Sequence, residues 1–292
     1  MIITRLKGGM GNQMFQYAMA LNVAQKLDTE LRIDLSSLLD RSKGEDFVYR
    51  NYDLSIFNVN DNFVHSPSVV HLLSKLKSAS VTRYFRNQVN KGRTHLKEKD
   101  FHFQQHFIDQ TKDDTILEGW FQSPKYFEDI APLIRKEFTF VKPVLEVSQD
   151  LLKKIKSTNA VCLNVRRTDF LKVDNLNTTN LEYFQEAARY IGDHVKNPTF
   201  FIFSDDVQWC LENIQLDHPT QVIGHEHKGE KFGNYMQLMI ACKHYIIPNS
   251  SFAWWAVWLN ANKNKKVVAP KNWFNDSAID TSDLVPEDWV RL

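Results

Sequence analysis

Beyond residue 160 the chain repeats one pattern: a short apolar run, a polar turn, then a longer stretch with helical spacing. Strands are expected at Ala160–Val165, Phe200–Ser204, Gln221–Ile223, Tyr245–Ile247 and Lys266–Ala269. Helices are expected between them, at Leu181–Val195, Val207–Leu211, Asn234–Lys243 and Phe252–Leu259. Strands that are apolar on both faces and alternate with helices build a parallel sheet covered on both sides. That narrows the fold to the α/β class.

The N-terminal part opens in the same way. Ile2–Leu6 reads as a buried strand, Gly8, Gly9 and Gly11 as a tight turn, Asn12–Leu27 as a helix, and Leu31–Leu35 as a second strand. From Ser36 to His106 the periodicity is mixed, with one helix expected after Pro67. A strand follows at Ile116–Phe121, then a helix from Pro124 to about Phe138. Pro143 marks a linker between Phe140 and Val147, which divides the chain into domains 1–145 and 146–292. The expected architecture is two Rossmann-type α/β domains facing a cleft, with ligands at the carboxyl ends of the strands.

The formal net charge of +1 gives no electrostatic footprint for nucleic acid. Three widely spaced cysteines, Cys162, Cys210 and Cys242, do not make a disulfide framework and fit a reducing cytoplasm. No apolar run approaches the roughly 20 residues that span a bilayer. One basic stretch stands out, holding Lys75, Lys77, Arg83, Arg86, Lys91, Arg93, Lys97 and Lys99. It reads as a solvated face or as attraction toward an anionic donor or a lipid-linked acceptor at a membrane surface, which leaves room for peripheral membrane contact.

Four polar clusters fall just after predicted strands. In Gly8-Gly9-Met10-Gly11-Asn12-Gln13, the glycines Gly9 and Gly11 let the backbone approach a ligand, and the amides of Asn12 and Gln13 suit a sugar or phosphate. A dinucleotide fingerprint would need glycine at Met14, although Asp34 imitates its ribose-binding acid. In Asn164-Val165-Arg166-Arg167-Thr168-Asp169, one arginine can clamp a diphosphate by charge and bidentate hydrogen bonds. The other can pair with Asp169 or another carboxylate. Asp205 and Asp206 can accept from a guanine edge or ribose, or cap the next helix. Asn249, Ser250, Ser251 and Phe252 open a helix whose N-terminus can cradle phosphate, while Trp254, Trp255 and Trp258 read as core. No Asp-x-Asp occurs, and the pairs His102/His106 and His225/His227 bring no further ligand set, so no metal and no other cofactor is expected.

Taken in order, these clusters resemble the bacterial α-1,2-fucosyltransferases of glycosyltransferase family eleven. The opening Gly8-to-Ala18 run is the most specific match. Gly119-Trp120-Phe121-Gln122-Ser123, Val165–Asp169 and Asn249–Trp255 are similar to further family blocks. The resemblance implies a GT-B-like fold and metal-independent, inverting transfer of L-fucose from GDP-β-L-fucose to a galactoside hydroxyl, with release of GDP. It assigns GDP-fucose to the C-terminal half. The acceptor, a galactose-containing oligosaccharide or lipid-linked glycan, goes mainly to the N-terminal half. By similarity Arg166 binds the leaving β-phosphate with Arg167 in support, Asp205 lies near guanine or ribose, Ser250, Ser251 and Phe252 lie near the nucleotide, and Asn12 and Gln13 line the cleft. Asp169, a carboxylate beside that clamp, is the candidate base. Asn164 and Thr168 stand where the family commonly has His and Gly, and Thr168 resembles the α-1,6-fucosyltransferases. Two competing readings are an NAD-dependent oxidoreductase built on Gly8–Gly11 and Asp34, and a noncatalytic sugar- or nucleotide-binding protein.

Overall fold

Ile2, Ile3, Thr4 and Arg5 are all buried, and together they form β1 (Ile2–Arg5), an inner strand of a parallel sheet. Three further strands complete the sheet: β2 (Leu31–Asp34), β3 (Thr94–Lys97) and β4 (Thr115–Glu118), in the order β2-β1-β4-β3. The computed structural model describes residues 1–41, 48–76 and 78–292. By compactness these form two units, Met1–Thr139 with Asp280–Leu284, and Phe140–Ile279 with Val285–Leu292. The division at Thr139–Phe140 falls just ahead of Pro143. The return of residues 280–284 to unit 1 has no signature in the sequence.

In unit 1 the connecting helix α1 (Met10–Lys26) is buried along nearly its whole length, polar residues included. Its amides therefore need protein partners. Gln16 exchanges two hydrogen bonds with the Lys7 main chain, at 2.9 and 3.1 Å, and Asn22 Nδ2 donates to the Tyr126 carbonyl at 2.7 Å. The remaining helices are α2 (Ser36–Leu39), α3 (Pro67–Leu76), α4 (Ala79–Asn90), α5 (His106–Asp109) and α6 (Ala131–Glu137). The helix expected from Pro124 is instead two 3₁₀ turns, Pro124–Tyr126 and Glu128–Ile130, followed by α6. Phe127 breaks it: the side chain is fully buried and the backbone leaves the helical region at φ −147°. The basic stretch supplies the end of α3, all of α4 and β3; Lys77 lies outside the described residues.

A buried ionic cluster pins the unit 1 sheet. Arg5 Nε donates to Asp34 Oδ2 at 2.6 Å, Nη1 to Glu118 Oε2 at 3.0 Å and Nη2 to Asn90 Oδ1 at 2.7 Å. Arg5 and Asp34 are both essentially inaccessible. The guanidinium thus ties β1 to both neighbouring strands and to α4.

Unit 2 begins with α7 (Gln149–Ser157) and carries six parallel strands, β5 (Asn159–Val165), β6 (Pro198–Ser204), β7 (Thr220–Val222), β8 (His244–Ile246), β9 (Val267–Ala269) and β10 (Val290–Arg291). Their order is β10-β9-β8-β5-β6-β7. The helices α8 (Leu181–His194), α9 (Val207–Asn213), α10 (Gly233–Ile240) and α11 (Ser251–Leu259) connect them. One core cluster gathers Leu163, Phe184, Ile191, Phe200, Ile202 and Ile246 from strands and α8. The chain runs from β5 outward to β7, then crosses back to place β8 on the other side of β5. That reversal is a topological switch point, where open α/β sheets bind ligands. Among the described residues no helix is long and apolar enough to cross a membrane.

Candidate functional site

The β5/β6 register aligns Val165 with Ser204, so the turn after β5 lies beside the turn after β6. This brings Arg166–Asp169 against Asp205 and Asp206. The Arg166 guanidinium is gripped on two sides, with Nη2 2.7 Å from Asp169 Oδ1 and Nη1 3.1 Å from Asp205 Oδ2. About a quarter of the Arg166 side chain remains exposed. Asp205 also receives the main-chain N–H groups of Arg167 at 3.0 Å and Thr168 at 3.2 Å, and the Thr168 hydroxyl. With so many protein donors it acts first as the clasp of the β5 turn.

Arg167 points elsewhere. Its Nε donates to Asp206 Oδ2 at 3.3 Å, and the guanidinium covers the Trp209 ring at 3.8 Å. Asp206 Oδ1 accepts the Trp209 N–H at 3.2 Å, capping α9. The two arginines leave the strand into a turn, and each takes its own aspartate. Both side chains are about a quarter exposed; Arg166 lies between Asp169 and Asp205, whereas Arg167 and Asp206 brace the α9 start. Asn164 Nδ2 bonds the Phe203 carbonyl at 3.0 Å and so locks β5 to β6.

β8 lies next to β5, and the segment after it forms the other wall of the switch point. Ser250 is the N-cap of α11, its Oγ accepting the Ala253 N–H at 3.5 Å. Ser251 and Phe252, the first helical residues, are partly exposed. Asn249, the first residue of the expected phosphate cradle, lies below the surface. It is 3% exposed, and its Nδ2 donates at 2.9 Å to the carbonyls of both Leu176 and Trp273. It holds two loops together. Trp254 and Trp255 are fully buried, as core packing requires.

In unit 1 the turn after β1 needs glycine at position 8, where φ is +77° and a Cβ would come within 2.6 Å of Asn12 Nδ2. Gly9 is the N-cap of α1, where a Cβ would meet Arg50 Nε at an ordinary 3.9 Å; Gly11 is buried inside the helix. Asn12 is partly exposed, but Gln13 is withdrawn from the surface entirely. Gln13 Nε2 donates to the carbonyls of Gly8 at 2.9 Å and Asn51 at 2.8 Å, and Oε1 accepts the Asp53 N–H at 2.9 Å. The expectation that Gln13 binds a ligand directly is therefore corrected, because its whole amide is committed inside the protein. Asp34, bound by Arg5 and by Ser36, has no surface to offer a ribose, and the dinucleotide reading loses its acid.

Several residues that took no ligand role in the sequence reading stand beside this turn. Lys7 Nζ lies 4.3 Å from the centroid of the Trp120 ring. Gln122 Nε2 donates to Asn12 Oδ1 at 2.7 Å. Glu98 Oε2 accepts the main-chain N–H groups of Trp120 at 2.5 Å and Phe121 at 2.9 Å, the latter at φ +50°. Burial pushes the Glu98 carboxyl above its ordinary value, with those two N–H groups and the charge of Lys7 pulling the other way. The Gly119–Ser123 segment was the signal for Trp120 and Gln122; nothing local marks Glu98.

Comparison with known proteins matches the model of Glycosyl transferase family 11 to residues 1–292. The α-1,2-colitosyltransferase of Escherichia coli is 29% identical, the alignment covering 100% of this chain and 98% of that protein. The O-antigen biosynthesis glycosyltransferase WbnK of Escherichia coli is also 29% identical, covering 98% and 99%. The galactoside α-(1,2)-fucosyltransferase 1 of Mus musculus is 29% identical over 49% of this chain and 41% of that protein. Among solved structures, the α-1,6-fucosyltransferase NodZ co-crystallised with GDP superposes with a TM-score of 0.50 at 15% identity, covering 88% of this chain and 91% of that one. That likeness concerns the fold, which is GT-B-like with Rossmann-type parallel sheets in both units.

Proposed function

Because the chain belongs to glycosyltransferase family 11, we propose that it transfers L-fucose from GDP-β-L-fucose to the 2-hydroxyl of a galactoside, with inversion and without a metal. The observation that carries this reading is Arg166, a partly exposed guanidinium just past the end of β5, the strand paired with β8, which leads into the N-terminus of α11. Guanidinium and helix N-terminus together suit a diphosphate. Unit 2 is assigned the donor and unit 1 the acceptor, a galactose-containing oligosaccharide or a lipid-linked glycan.

In this mechanism the acceptor oxygen forms a bond to fucose C1 as the bond from C1 to the β-phosphate oxygen breaks. The transition state has oxocarbenium character, as in glycoside hydrolysis. Negative charge grows on the departing GDP, and Arg166 holds it more tightly as it grows, which lowers the barrier rather than merely binding substrate. Asp169 takes the acceptor proton. Its carboxylate is paired with Arg166, so arrival of the diphosphate gives the guanidinium a competing anion and loosens Asp169 for that task. Arg167, Asp205 and Asp206 fix the turn that carries both groups.

A second reading concerns only the transferred sugar. The full-length similarity to a colitosyltransferase favours testing colitose, the 3-deoxy counterpart of fucose, as an alternative. The test measures GDP release from GDP-fucose and from GDP-colitose with lactose in EDTA, for wild type and Arg166→Ala. Acceptor-dependent release from GDP-fucose that survives EDTA and collapses in the variant supports the proposal. Turnover confined to the colitosyl donor replaces the sugar, and failure to bind either donor sinks the reading.

A further inference from the structure

We infer that Asn12, Trp120 and Gln122 form a pyranose subsite in unit 1, which takes the galactoside ring of the acceptor. The identity of the incoming sugar rests on the transferase reading; the subsite itself rests on geometry.

Its place is the reversal point of the unit 1 sheet. From β1 the chain goes to β2 on one side, and β4 returns to the other. Lys7–Gly9 follow β1 and Gly119–Ser123 follow β4, so both carboxyl ends lie side by side. Ligands bind outside such a pair of strand ends.

Its chemistry is an unfinished hydrogen-bond set. Gln122 is 5% exposed and spends Nε2 on Asn12, while its Oε1 is buried with no partner among the described residues. Asn12 accepts that bond but donates its own amide hydrogens to no described residue. Exchanging oxygen and nitrogen in both amides leaves the same remainder, one acceptor and one donor group. The Trp120 indole N–H is likewise unspent among the described residues. A sugar hydroxyl, donor and acceptor at once, completes this set. A phosphate does not, since it offers no hydrogen to the Gln122 oxygen.

The site is also held rigid. Glu98 fastens the main chain of Trp120 and Phe121, and a Cβ on Gly119 would meet Glu98 at 2.6 Å, so glycine is what admits the carboxylate. Phe101 stacks near-parallel to the indole at 6.4 Å. A fixed aromatic edge beside a few convergent amides is the usual make-up of a small-molecule site.

Two sources can supply a pyranose: the acceptor, and the fucosyl group of the donor. The test uses the full chain, with saturation-transfer NMR to methyl β-galactoside alone and calorimetry with GDP-fucose alone, for wild type, Gln122→Ala and Trp120→Phe. The expected result is transfer to the galactoside in wild type and an affinity about tenfold weaker in Gln122→Ala. GDP-fucose affinity should stay within about twofold. Trp120→Phe keeps the ring and the Glu98 contact, and it answers the question if Gln122→Ala does not fold. A loss confined to GDP-fucose overturns the assignment in favour of the donor, and no transfer to the galactoside in wild type overturns it outright. Galactoside binding without any GDP release, by contrast, removes the transferase reading and leaves the subsite standing.

Discussion

Asp205 accepts the main-chain N–H of Arg167 at 3.0 Å with one carboxylate oxygen and faces the Arg166 guanidinium at 3.1 Å with the other. One side chain thereby sets both the path of the turn and the direction of Arg166. Asp205→Asn keeps the volume but loses the charge and replaces an acceptor by a donor. GDP affinity, measured by calorimetry, should fall about tenfold, the weight of one charge-assisted hydrogen bond. Asp206→Asn should change it by less than about threefold, because asparagine caps a helix as well as aspartate does.

Gln13→Ala should behave as a stability variant. It unpairs the carbonyls of Gly8 and Asn51 and the N–H of Asp53 around a fully buried side chain. A loss of about 2–3 kcal/mol in urea denaturation is expected, from buried polar groups left without partners. Donor affinity of the folded fraction should be unchanged; a selective loss of binding at full stability would return Gln13 to the ligand set.

Arg5→Met removes the only cation that the buried Asp34 carboxylate has among the described ion pairs. The cost should be about 3–5 kcal/mol, the usual penalty for breaking a buried pair from one side. Arg5→Met combined with Asp34→Asn should recover part of it, because the inaccessible carboxylate is then neutral and only the partly exposed Glu118 has lost the guanidinium.

Glu98 gives the pH dependence a sign. Its carboxyl is raised in the folded chain, so the native state holds the proton more tightly than the unfolded state does. Its contribution is fully present below the ordinary glutamate value of about 4.3 and is lost as pH rises through the higher folded value. Stability of wild type relative to Glu98→Gln should therefore increase on acidification across that window, read from thermal shifts at matched ionic strength. A change in the opposite direction would mean that the Trp120 and Phe121 N–H groups outweigh burial.

Much of unit 2 was legible because a parallel sheet covered on both faces writes itself as apolar runs; Phe200–Phe203 can be little else than an inner strand. β3 was not, since Thr94–Lys97 is a largely exposed edge with a single apolar side chain, Leu96. α4 was hidden inside the basic stretch, where charge masks the two inward residues Thr82 and Val89. At the site, Arg166 could be read from its place after a strand. The opposite fates of Asn12 and Gln13 could not, because α1 is buried on nearly every side and its sequence does not say which amide reaches the surface. Glu98 was invisible for a simpler reason: its partners lie more than twenty residues away along the chain.

The stretch Asp280–Leu284 packs with unit 1 although the chain on both sides of it belongs to unit 2. Asp283 accepts the Phe103 N–H at 2.9 Å and pairs with Lys125, so a segment near the C-terminus completes a surface made by the first half. The chain therefore passes between the units three times where a bead-on-string protein passes once. A gene cut at the linker near Pro143 would yield a first half missing a stitch and a second half carrying a loose thread, and a single proteolytic nick there would leave the pieces joined.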